Sequence, residues 1–142
     1  MPVAEQKARN NKCSNLAQEI LLQSPTNSLA LLTLAASNQG EGNQQFVNAT
    51  LTLAHETAAY EGWLAEYRVK FAFDNWQKMS FASKGWIEKD IALLLQGHRT
   101  RPFMAQLYIA FPERRAMLLN IAQEQSQRVQ HAYLAAIKAG AP

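Results

Sequence analysis

A chain of 142 residues, 48% hydrophobic and 18% charged, is long enough to bury a core and too apolar to remain disordered. Its one cysteine, Cys13, excludes an intrachain disulfide and any zinc site built on paired cysteines. The formal net charge of +3 is unevenly laid out, residues 41–66 summing to −4 and residues 68–115 to +5, so the weak pointer to anionic partners belongs to the second stretch.

The first element runs from about residue 4 to Gln23, with Leu16, Ala17, Ile20 and Leu21 at helical spacing. Its opening, residues 1–12, is prone to fray, and Pro25 forbids continuation. Asn27 is a good N-cap for a short apolar helix reaching Ser37, which the polar loop Asn38–Asn43 closes.

From Gln44 to Met79 there is no proline, and the spacing predicts one long helix. Phe46, Leu53, Tyr60 and Tyr67 recur every seven residues, interleaved by Thr50, Thr57, Leu64 and Phe71, which is the pattern of a helix packed lengthwise on its neighbours. Glu66, Lys70, Asp74 and Lys78 alternate in sign along a solvent face. Beside the seam, Ala54, Ala58, Ala65 and Ala72 form a column open to a second helix, and Glu61 and Arg68 are candidate buried polar residues within it.

Ser80 is an N-cap candidate for a fourth helix carrying Trp86, Ile87, Ile91, Leu94 and Leu95 and ending at Gly97. A brief helix with Phe103, Met104, Leu107, Tyr108 and Phe111 leads to Pro112. Pro112 then opens the last helix, to about 138, in which Leu119, Ala122, Ser126, Val129, Tyr133 and Ala136 alternate steps of three and four. The expected fold is therefore all-α: a single domain over 1–142, a bundle of about five helices with a long central helix (about 44–79) packed against a long C-terminal helix (about 112–138).

No catalytic constellation emerges. None of His55, His98 and His131 stands three residues after a glutamate, as carboxylate-bridged metal pairs in bundles require, and His55-Glu56-Thr57-Ala58-Ala59 lacks the second histidine of a zinc protease motif. No serine sits in Gly-x-Ser-x-Gly, and no glycine-rich phosphate loop occurs. No cofactor or metal is expected, and the chain is not read as an enzyme. No stretch approaches the roughly 20 apolar residues of a membrane span, and the N-terminus lacks the apolar region of a secretory signal, so a cytoplasmic location and no membrane partner are expected.

Two functions remain. The first is a non-catalytic, regulatory module that binds another protein, or itself, through a helix face. Trp63 and Phe73 are its candidate anchors because they lie toward the charged side of the long helix, and Arg99 and Arg101 supply a basic loop. The alternative is a nucleic-acid-binding regulator using residues 83–115, where Lys84, Lys89, His98, Arg99, Arg101, Arg114 and Arg115 gather and where Asp90–Arg101 is loosely similar to a helix-turn-helix. Against it, Pro102 falls in the first turn of the reading helix, and Phe103, Met104, Leu107 and Tyr108 leave that helix little polar surface for base edges.

Overall fold

A computed structural model describes Pro2 to Gly140; Met1, Ala141 and Pro142, which the expected 1–142 domain includes, lie outside the described residues. The described residues form eight α-helices and two 3-10 turns, with no strand among them. In chain order these are α1 (Val3–Gln23), α2 (Ser28–Asn38), α3 (Gln44–Thr57), α4 (Gly62–Asp74), α5 (Phe81–Gln96), α6 (Arg101–Ala110), α7 (Arg115–Gln123) and α8 (Gln127–Gly140), with 3-10 turns at Trp76–Lys78 and Pro112–Arg114. They divide into two compact units, one comprising the chain up to Ala59 with Gln77–Ser83, the other Tyr60–Trp76 with the chain from Lys84 onward.

In the first unit α2 packs against both α1 and α3. Ala30, Leu31, Leu32, Leu34 and Ala35 are all buried, so α2 has no wide polar face. The Asn27 side chain accepts a hydrogen bond from the Ala30 amide at 2.9 Å, the expected N-cap, stabilising the helix by about 1 kcal/mol. Asn43 caps α3 in the same way through the Phe46 amide. The loop between them turns on Gly40 and Gly42, whose φ values of 101° and 84° are left-handed and costly for any other residue. Asn48 holds the second segment of this unit, accepting from the Ser80 amide at 3.0 Å and donating to the carbonyl of Lys78 at 3.4 Å. Ser80 in turn caps α5 by accepting from the Ser83 amide at 3.1 Å, as its sequence position predicts.

The single helix expected over 44–79 is two helices separated by a break at 58–61. The cause is competition for backbone carbonyls near the end of α3. Thr57 Oγ1 donates to the carbonyls of Leu53 and Ala54, buried Ser28 Oγ donates to Ala54 at 2.5 Å, and the Ala58 amide turns to His55 in a tighter, 3-10-like bond. Gly62, the weakest helix former in the stretch, then opens α4.

The sevenfold seam holds only in part. Thr50 and Leu64 are buried, but Phe46 and Leu53 are exposed, Tyr60 is 90% and Tyr67 60% exposed, while the adjacent alanine column, Ala54, Ala58, Ala65 and Ala72, is buried throughout. Small side chains win these positions because they let backbones approach until little space is left for solvent. Of the alternating charges, Lys70 and Asp74 form the one ion pair seen among the described residues, at 2.6 Å, and α4 ends at Asp74 before Lys78 is reached.

The rod expected over 112–138 is likewise divided into a 3-10 turn, α7 and α8. Polar side chains cap the second break: Gln130 Nε2 donates to the carbonyls of Gln123 and Gln125, and Gln125 Nε2 to Ile121. Ser126 accepts from the Val129 amide and opens α8.

In the second unit α8 lies on α6 and α7. Buried Tyr133 of α8 donates its hydroxyl to the carbonyl of Met104 at 3.3 Å and meets Tyr108 edge to face at 6.4 Å. Phe73, a candidate interface anchor whose alternative is burial under a neighbouring helix, is buried at 4% exposure and meets the rings of Phe111 at 5.3 Å and Trp76 at 5.9 Å edge to face. Of the two candidate buried polar residues, Glu61 is exposed, whereas Arg68 is fully buried and bonded to Asp90. The break before Gly62 puts Glu61 at the N-cap of α4, outside the buried column that Arg68 occupies.

Candidate functional site

The first turn of α4 packs close to the turn that leads into α6. A methyl group added at Gly62 would stand 3.7 Å from Thr100 Cγ2, an ordinary van der Waals distance. Thr100 is itself fixed, its hydroxyl donating to the carbonyls of Leu94 at 2.6 Å and Gly97 at 3.2 Å. Between α4 and α6 a notch of about 440 Å³ opens to solvent, lined by Trp63, Glu66, Tyr67 and Lys70 of α4 and by Phe103 of α6. The four α4 residues are spaced i, i+3, i+4 and i+7 and therefore share one face.

The aromatic side chains that α4 gives the notch contact neighbours on their own helix. Trp63, 51% exposed, donates its indole N–H to Glu61 at 3.0 Å, and its ring meets Tyr67 edge to face at 6.4 Å with an interplanar angle of 89°. Two perpendicular aromatic walls are thereby set before anything binds. Lys70 is turned along the helix, its amine bonded to both oxygens of Asp74 at 2.6 and 2.7 Å and standing 5.5 Å from the Phe111 ring. Among the described residues Glu66 has no such partner, and partial burial raises its carboxyl above the ordinary glutamate value.

Trp63, a candidate contact from the sequence, lines this notch; Glu66, Tyr67 and Phe103 join it without being sequence candidates, and the spacing of 63, 66, 67 and 70 is the signal that marks the α4 residues.

The basic candidates do not gather into one surface. Arg101 donates to the carbonyls of Leu95 and Gln96 and so caps the end of α5. Arg115 does the same for α6 through Tyr108 and Ile109, with its guanidinium 5.1 Å from the Tyr108 ring. Lys84 and Arg114 both stand over the Trp76 ring, at 5.1 and 4.8 Å, and Lys89 stands over Trp86 at 4.3 Å. His98 and Arg99 are exposed in the turn before α6.

A larger open groove, about 690 Å³, runs between α5 and α7, but its lining of Gly85, Ala92, Met117 and Ile121 with polar neighbours includes no aromatic anchor. Among the described residues no three His, Cys, Asp or Glu side chains come together to hold a metal, and no helix is long and apolar enough to cross a membrane. Comparison of the chain with protein-family models, curated proteins and solved structures found no match.

Proposed function

We propose that this chain is a non-catalytic helical module that binds another protein through the notch between α4 and α6. The observation carrying this reading is the pairing of exposure with fixation at Trp63 and Tyr67. Large aromatics left in water cost solvation free energy, and side chains already held in one geometry lose little entropy when a partner covers them. Tryptophan and tyrosine are also the residues that most often dominate interface energetics.

A second reading, binding of nucleic acid, is favoured by one feature: two cations share the Trp76 ring, and the buried Nε of Arg114 has no hydrogen-bond partner among the described residues. Basic side chains interleaved with aromatics suit single-stranded nucleic acid. It ranks below the first because Arg101 and Arg115 already bond to helix ends.

Affinity purification at low and high salt, with both protein and nucleic acid identified, separates the two. The first reading expects protein partners that survive high salt and disappear with Trp63→Ala. Partners that are nucleic acid, lost at high salt and with Lys84→Glu/Arg114→Glu, would replace it with the second.

A further inference from the structure

We infer that the notch between α4 and α6 receives an arginine side chain from the partner polypeptide; this deepens the proposed function and rests on that reading. Three aromatic residues, Trp63, Tyr67 and Phe103, line a single opening that Glu66 also lines. Aromatic faces attract cations through their quadrupole, and a carboxylate beside them adds a full opposing charge.

Competing positive charge from the protein itself is neutralised, because the Lys70 amine is bonded to Asp74. On the acidic side, Glu61 braces the Trp63 indole, while among the described residues no hydrogen-bond or ion-pair partner meets the Glu66 carboxylate. The occupant that satisfies both the rings and the carboxylate is a planar guanidinium, which stacks on aromatic faces and bonds a carboxylate at two points, whereas an ammonium is a compact, strongly hydrated charge.

The opening, about 440 Å³ and uncovered, exceeds one cationic head group, leaving room for the aliphatic stem of a side chain entering from a polypeptide.

The test uses the full chain and four probes: a five-residue peptide, acetylated and amidated, with a central arginine; the same peptide with lysine; the same peptide with citrulline, which keeps the shape and loses the charge; and free guanidinium chloride at millimolar concentration. The Trp63 indole N–H signal, assigned by its loss in Trp63→Phe, is followed by nuclear magnetic resonance at constant ionic strength. The arginine peptide should shift it saturably, binding at least about 5-fold more tightly than the lysine or citrulline peptides, a difference of roughly 1 kcal/mol. Glu66→Gln, an isosteric change at a partly buried position whose fold is checked by circular dichroism, should remove most of that preference.

Equal binding of the arginine and citrulline peptides would overturn the cation assignment while leaving an apolar docking groove and the proposed function standing. Equal binding of the lysine peptide would overturn the guanidinium, and equal binding of free guanidinium would overturn the polypeptide source. No saturable shift with any probe would overturn the inference outright, and a purification that yields no protein partner dependent on Trp63 is the separate result that would remove the proposed function.

Discussion

Arg68 meets Asp90 in a two-point fork, Nε to Oδ2 at 2.8 Å and Nη2 to Oδ1 at 2.9 Å, with neither side chain reaching solvent. The pair joins α4 to α5. Removing one partner takes the opposing charge from the other in a medium that solvates charge poorly, so Arg68→Ala or Asp90→Ala should each cost about 3–5 kcal/mol of unfolding free energy. Arg68→Met/Asp90→Leu should recover most of that loss, because apolar replacement of a buried pair is often neutral. Urea denaturation of the three variants checks this; single variants as stable as the parent would show that the pair contributes nothing.

Arg101 and Arg115 act on helix ends, and lysine cannot reproduce a fork that reaches two carbonyls at once. Arg115→Lys should destabilise by about 1 kcal/mol and Arg115→Ala by about 1–2 kcal/mol, read as a lower thermal midpoint. A surface role alone would leave both midpoints unchanged.

Two glycines near the notch should respond with opposite sign to the same substitution. Gly62→Ala finds only an ordinary contact with Thr100 Cγ2, and by reducing the freedom of the unfolded chain it should stabilise by about 0.5 kcal/mol. Gly97→Ala drives a methyl group into Thr100 Oγ1 and disturbs its bonds to Leu94 and Gly97, so it should destabilise by about 1–2 kcal/mol. Thermal denaturation giving the same sign for both would contradict the packing described for this turn.

Tyr133 carries the pH dependence. Burial, reinforced by neighbouring Tyr108, pushes its phenol above the ordinary value of 10.0. The native state therefore holds this proton more firmly than the unfolded chain does, so the phenol's contribution to stability is complete below about pH 10 and declines as pH rises beyond it. Tyr133→Phe should lose about 1 kcal/mol at neutral pH with the bond to Met104, and its deficit should shrink above pH 10. A deficit that stays constant to pH 11 would show that the phenol titrates alike in both states.

The helical class was legible because apolar spacing of three and four is local, and the caps Asn27 and Ser80 were legible because their chemistry is local too. What escaped depends on the competition between side chains and backbone. Ser28 lies 26 residues from the Ala54 carbonyl it bonds, and no local pattern connects them. The missed break changed the phase of the next helix, which is why Tyr67 was read as core and Phe73 as a candidate anchor. In the notch, Trp63 was visible as an aromatic on a charged face; Phe103 comes from another helix and was not.

The most direct test of the notch is site-specific photocrosslinking in living cells. Gln106→benzoylphenylalanine places a reactive group one turn beyond Phe103 on α6, and His131→benzoylphenylalanine, on α8, serves as the control; both positions are exposed. A discrete protein adduct from position 106, absent from 131 and abolished by Trp63→Ala/Tyr67→Ala, is the predicted result. Adducts of equal yield at both positions, or one at 106 indifferent to loss of the two rings, would contradict the account.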